Sequence, residues 1–199
     1  MSRNEEVARL LEEFADLLAA KGVEYKPRAY EKAAENVRAH PKPIEALAAD
    51  GRDALGEIDG VGEAIAGKIA EYFETGSIEE LDDLREDLPV DITGLTAVEG
   101  VGPKTVGTLY EELGIRTLDD LEAAAEAGEI QEIRGFGPKT EQNILDNVEF
   151  AREASERALL GNARPRGESV LDYFADVPEA TECELAGSIR RWKETIGYV

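Results

Sequence analysis

Three glycine pairs carry the residue types best placed to do chemistry in this sequence, each pair flanking one apolar residue: Gly60-Val61-Gly62, Gly100-Val101-Gly102 and Gly135-Phe136-Gly137. The chemistry they suit is anion binding. A glycine in a tight turn adopts a positive φ at little cost, and its missing side chain lets another backbone come close. The apolar residue between the glycines can plug the turn into a core. A helix that starts at such a turn points its free N–H groups and positive dipole end outward. Pro103 and Pro138 fit the first turn of that helix, since neither gives up a needed N–H. Lys104 and Thr105, and again Lys139 and Thr140, add a cation and a hydroxyl beside those amides. Such a hairpin contacts successive phosphates of one nucleic-acid strand and reads no base. The alternative for each copy is a turn that merely joins two helices. A dinucleotide-binding loop is excluded, because that motif needs a preceding strand and a third glycine.

Other chemistries find few residues to work with. His40 is the one histidine and Cys183 the one cysteine, so neither a zinc site of the usual N/S type nor an internal disulfide framework can be built. His40 precedes Pro41 in a connector, a poor setting for serine–histidine or cysteine–histidine catalysis. The acidic pairs Asp82/Asp83 and Asp119/Asp120 fall on helical surfaces and read as solvated faces.

The elements that must position the hairpins are helices. Val7, Leu10, Leu11, Phe14, Leu17 and Leu18 recur at helical spacing between Asn4 and Lys21, with Ser2 and Glu5 as a capping box and Gly22 as a stop. A second helix is expected from Pro27 to about His40, then a short one over Ile44 to Ala49. Connecting helices are expected around Ile78 to Leu84 and Thr117 to Ala127. The internal repeat reads IDGVGEAIAGKI from Ile58, VEGVGPKTVGTL from Val98 and IRGFGPKTEQNI from Ile133. GNARPRG, from Gly161 to Gly167, reads as an interdomain linker. A short helix from Glu168 to Phe174 is expected to follow, then a strand over Thr181 to Ala186. The fold class is therefore mainly α, built from helix-hairpin-helix repeats. Three units are expected: residues 1–88, 89–160 and a last piece over 161–199.

The charge balance sits awkwardly with a nucleic-acid partner. The 199 residues carry a net charge of -22, which repels a polyanion. Two explanations compete: a protein that binds no nucleic acid, or one adapted to a very salty cytoplasm. The second is favoured, because lysine is scarcer than arginine and repulsion is screened within about 3 Å at 1 M salt. Nothing resembles a signal peptide, and no apolar stretch approaches the roughly 18 residues that span a bilayer. A cytoplasmic protein without membrane contact is expected.

Taken together, the motifs resemble the family X DNA polymerases. PRAYEKAAENV followed by IDGVGEAIAGKIAEYFETG is similar to the family's N-terminal lyase domain, which grips the 5′ side of a gap. LTAVEGVGPKTVGTLYEELGI is similar to the adjoining subdomain that holds the primer side, and ELAGSIRRWKETIG to the motif that opens the catalytic palm. The resemblance is collinear over nearly the whole chain, and it implies that residues 161–199 form a short α+β palm fragment. It implies further that Lys68 is a Schiff-base nucleophile and that Lys26 and Tyr30 help bind a 5′ phosphate. A second lysine position of the family holds Ala64, which weakens that pocket. The carbonyls of Thr96, Val98 and Val101 match those that bind a monovalent cation, K+ or Na+, bridging to DNA. Gly187, Ser188, Arg191 and Gly197 match the triphosphate-binding positions. Tyr198 stands where the family has the first of its catalytic carboxylates, so nucleotidyl transfer is not expected of this chain, and Mg2+ only of a full-length polymerase.

Three functions follow. The first is recognition of gapped or nicked duplex DNA in repair, without sequence preference. The second is a 5′-deoxyribose phosphate lyase using Lys68, which needs an unprotonated amine. The third is a non-catalytic helix-hairpin-helix module that binds another protein.

Overall fold

Helix α1 (Arg3–Ala20) starts where Ser2 Oγ accepts the Glu5 amide at 3.2 Å. The returning half of the expected capping box is absent, because Glu5 gives its carboxylate to Arg9 at 3.0 Å and to Arg38 at 2.8 Å. Val7, Leu11, Phe14 and Leu18, spaced at three and four residues, bury one face of α1. The computed structural model describes residues 2–156, together with the backbone of 158–159 and 195–196.

Nine further helices follow among the described residues: α2 (Lys26–Ala39), α3 (Ile44–Asp50), α4 (Arg52–Gly56), α5 (Glu63–Thr75), α6 (Glu79–Asp87), α7 (Ile92–Thr96), α8 (Pro103–Leu113), α9 (Leu118–Glu126) and α10 (Pro138–Glu156). The mainly α expectation is met. Three details differ from the sequence reading. The five-residue helices α4 and α7, which lead into the first two hairpins, are too short to show a period in sequence. A single 3-10 turn, Ile130–Glu132, takes their place before the third hairpin. The helix expected to end at Leu84 continues to Asp87, because Arg85 on its last turn is held by Glu13 of α1 at 2.7 Å. Thr117 proves to be a cap, not a helical residue: its side chain and that of Asp120 exchange hydrogen bonds with each other's backbone amides.

Helix α1 is the spine. It packs against α2 along its length and also meets α6 and α8. Phe14 of α1 stacks on Tyr30 of α2 with ring centroids 4.4 Å apart and planes 13° from parallel. Burying each such aromatic or Leu side chain contributes about 1.5–3 kcal/mol. Gly107 on α8 lies against the carbonyl of Ala20 at the end of α1, where any side chain would overlap backbone. One apolar cluster runs without a break from Val7 to Ala151 and takes in residues of all three hairpins. The only described strands are a two-residue antiparallel pair, β1 (Ala158–Leu159) with β2 (Thr195–Ile196). The expected linker at 161–167, the helix at 168–174, the strand at 181–186 and the palm motif lie outside the described residues.

Candidate nucleic-acid interface

Each glycine pair forms the same turn. The carbonyl of Ile58 accepts the Val61 amide at 3.0 Å, that of Val98 the Val101 amide at 3.0 Å, and that of Ile133 the Phe136 amide at 3.0 Å. The first glycine is third in each turn, with φ of 82° at Gly60, 87° at Gly100 and 98° at Gly135, while the residue before it keeps a negative φ. That combination is a type II turn, and it explains the first glycine. The second glycine has another reason. Gly62 (φ -81°, ψ 174°) and Gly102 (φ -88°, ψ 172°) are extended N-caps that any residue could adopt. A Cβ at Gly62, Gly102 or Gly137 would meet nothing, so glycine keeps the mouth of the following helix open from outside.

That mouth is polar and uncapped. Neither Gly62 nor Gly102 offers a side chain to the helix amides. The first intrahelical bonds are donated by Ala66 at 2.9 Å and Val106 at 3.0 Å, leaving the amides of Glu63, Ala64 and Ile65, and of Lys104 and Thr105, with no helical acceptor. At the third hairpin Thr140 and Glu141 both donate to the Gly137 carbonyl, at 2.9 and 3.1 Å, so fewer amides stay free. Val61 and Val101 are buried as expected, whereas Phe136 is only half-buried. Lys104 and Lys139 are exposed beside their amides, and Thr105 and Thr140 are half-buried.

Two asparagines that sequence reading passes over hold these turns. Asn36 of α2 donates from Nδ2 to the Asp59 carbonyl at 2.7 Å, and Asn143 of α10 donates to the Glu99 carbonyl at 2.8 Å. Asp59 and Glu99 occupy the same place, immediately before the first glycine. Lys32 of α2 also pairs with the Asp59 carboxylate at 2.8 Å. The hydrogen bond to Lys32, helped by the lysine's charge and the Gly60 amide, lowers the Asp59 pKa below the ordinary carboxylate value.

Tyr25 is a third residue the sequence does not announce. It is 88% exposed, and it is the one non-glycine with positive φ among the described residues (φ 67°, ψ -44°). The Lys26 amide reaches back to the Glu24 carbonyl at 2.8 Å, so Tyr25 is the centre of a strained γ-turn at the entrance to α2. The exposed cations Lys26 and Arg28 lie in the first turn beyond it. Tyr30, expected alongside Lys26 to help bind a 5′ phosphate, is buried in the stack on Phe14 and raised in pKa by that burial.

The structure brings Lys68 to Tyr30. The Lys68 side chain is 14% exposed, its Nζ lies 5.4 Å from the Phe14 ring centroid, and it pairs with Glu80 of α6 at 2.6 Å. Burial works against the ammonium, but the bonds to Glu80 and Tyr30 outweigh it and raise the pKa above that of an ordinary lysine. This is the opposite of the depressed pKa that a Schiff-base amine calls for. An open hollow beside it is lined by Arg52, Ala64, Gly67, Lys68, Glu71 and Glu74.

Among the described hydrogen bonds the Thr96 and Val101 carbonyls accept none, while the Val98 carbonyl accepts the Val101 amide within the turn. Carbonyls with spare lone pairs suit a hard cation. No group of three or more His, Cys, Asp or Glu side chains gathers to hold a metal among the described residues. Gly187, Ser188, Arg191 and Gly197 lie outside the described residues.

The hairpins recur in known proteins. Residues 2–78 match the model of the helix-hairpin-helix domain, and residues 92–149 that of the SAM-like helix-hairpin-helix tandem. The chain is 28% identical over 192 residues to the DNA polymerase/3′-5′ exonuclease PolX of Bacillus subtilis (strain 168), covering 96% of this chain and 33% of that protein. It is 27% identical over 197 residues to DNA polymerase lambda of Rattus norvegicus, covering 98% of this chain and 31% of that protein. The chain thus spans about a third of the length of these relatives. With both helical units matched by helix-hairpin-helix models and the similarity running through nearly every residue, the chain is similar to the helix-hairpin-helix part of family X DNA polymerases.

Proposed function

We propose that this chain binds DNA through its hairpins and that its preferred target is a gapped or nicked duplex in repair. The observation that carries the reading is the type II turn opening onto an uncapped helix mouth, made at Gly60–Gly62 and again at Gly100–Gly102. Backbone amides at a helix N-terminus bind a phosphate oxygen through directed hydrogen bonds plus the helix dipole. Lys104 and Thr105, and Lys139 and Thr140, add further donors. None of these groups reads a base edge, so binding is sequence-independent. Two hairpins on one continuous core grip phosphates on either side of an interruption, where the duplex bends most easily. Tyr25, with Lys26 behind it, offers a face on which an unstacked base at the gap can rest. A monovalent cation on the Thr96, Val98 and Val101 carbonyls would supply positive charge between the hairpin backbone and a phosphate, which suits so acidic a protein. Polymerisation, and Mg2+ with it, is expected only of a full-length polymerase.

Fluorescence anisotropy with a one-nucleotide-gapped duplex, a nicked duplex and the intact duplex of the same sequence tests this reading in KCl. Tighter binding to the gapped and nicked forms is expected. Equal affinity for all three contradicts the preference, and no binding at any KCl concentration leaves the protein-binding module as the better reading.

A second reading, a lyase, draws on the nearly enclosed Lys68 beside Tyr30. The amine would attack the sugar aldehyde at an incised abasic site, lose water to form an imine, and release the sugar phosphate by β-elimination. Borohydride would then trap a covalent complex, absent in Lys68→Ala; an untrapped wild type rules the reading out.

A further inference from the structure

We propose that Asn36 and Asn143 are positioning residues for phosphate binding, each fixing the central peptide of one hairpin turn so that its amide faces the bound strand. The inference rests on the DNA-binding reading and adds to it the groups that preset the hairpin backbone.

A trans peptide points its carbonyl and its N–H in opposite directions. In a type II turn the peptide between the second and third residues is the one that rotates when the turn converts to type I. Glycine at the third position tolerates both forms. The turn sequence therefore leaves the direction of that amide undecided, and a contact from outside must decide it. The Asp59 carbonyl is drawn to Asn36 Nδ2 at 2.7 Å, which turns the Gly60 amide away from α2. The Glu99 carbonyl is drawn to Asn143 Nδ2 at 2.8 Å, which turns the Gly100 amide away from α10.

The same bond in the same place, donated by different helices from 23 and 44 residues away, marks a requirement of the turn rather than an accident of packing. The third hairpin lacks the device. Among the described hydrogen bonds the Arg134 carbonyl accepts none, and α10, which starts at that hairpin, spends Asn143 on the second. Part of the third hairpin's task is thus to hold the helix that sets its neighbour.

The test uses the full chain carrying Asn36→Ala, Asn143→Ala or both. Three readouts are needed: thermal unfolding, the ¹H–¹⁵N shifts of Gly60 and Gly100 in the free protein, and affinity for the gapped duplex. Each single variant is expected to move its own turn glycine's amide and to weaken binding by roughly three- to tenfold, the weight of one neutral hydrogen bond. The double variant should lose about the product of the two, since the bonds serve different turns and share no partner. Should an alanine variant unfold, Asn36→Leu and Asn143→Leu roughly keep the volume and remove the donor without adding charge, and the same losses are expected. Unchanged affinity together with unmoved glycine amides in stably folded variants overturns the proposal. If the wild type binds no DNA, the DNA-binding reading fails instead, and the amide shifts alone decide whether the asparagines set the turns.

Discussion

Tyr25 shows how a single residue can spend stability on a surface. A side chain at φ 67° in a γ-turn costs about 1–3 kcal/mol, and its ring lies in solvent. Replacing Tyr25 with glycine should therefore raise folding stability by about 1 kcal/mol by thermal or denaturant unfolding, after glycine's larger unfolded-state entropy is counted. The same change should weaken binding to the gapped duplex by about fivefold, the low end of one base stack. Lys68 offers a second residue-scale expectation. Its raised pKa means that the ion pair with Glu80 is fully formed below the unfolded lysine value and is lost only as pH rises through the higher folded value. If Lys68 acts as a nucleophile, Glu80→Gln should increase borohydride trapping between pH 7 and 8, and trapping by the wild type should climb with pH. The glycines, Lys104 and Lys68 were legible in sequence because a repeat or a family motif marks them. Tyr25, Glu80 and the two turn-holding asparagines were not. A γ-turn at a tyrosine breaks no pattern, and a side chain that bonds a distant carbonyl leaves no periodic trace.

At the scale of the element, sequence reading succeeds where a period is long enough to see. α1, α2 and α5 each run beyond ten residues and bury a regular stripe, so their existence and inner faces follow from spacing. The five-residue α4 and α7 follow from no period; tertiary packing of Leu55 and Leu95 holds them. The half-formed cap at Ser2 carries the same lesson, since Glu5 is claimed by Arg38 of another helix. Gly107 supplies a test of how α8 seats on α1. Gly107→Ala puts a methyl group into the Ala20 carbonyl, and overpacking of this kind costs about 1–3 kcal/mol. A thermal midpoint lowered by several degrees is expected, whereas an unchanged midpoint would mean that α1 and α8 are not in close contact in solution.

For the whole molecule the central tension is between a net charge of -22 and a polyanionic partner. Coulomb attraction cannot drive association, so directed amide hydrogen bonds and stacking must do most of it. Lys26, Lys104 and Lys139 are exposed cations at the proposed contacts, while Lys32, beside Gly60, is paired with Asp59. Counterion release from three phosphates gives a slope of log K against log[KCl] of about -3, and uptake of K+ to relieve repulsion makes it shallower still. A slope steeper than about -6 would show that a basic surface not identified in this fold dominates.

The central claim, that hairpin backbone amides hold the phosphates, is tested most directly by titrating ¹⁵N-labelled protein with a one-nucleotide-gapped duplex and following each amide. The largest shifts are expected at Glu63, Ala64, Lys104, Thr105 and the turn glycines Gly60 and Gly100, unchanged when the flanking sequence is altered. Shifts confined to other surfaces, with these amides unmoved at saturation, would contradict the account.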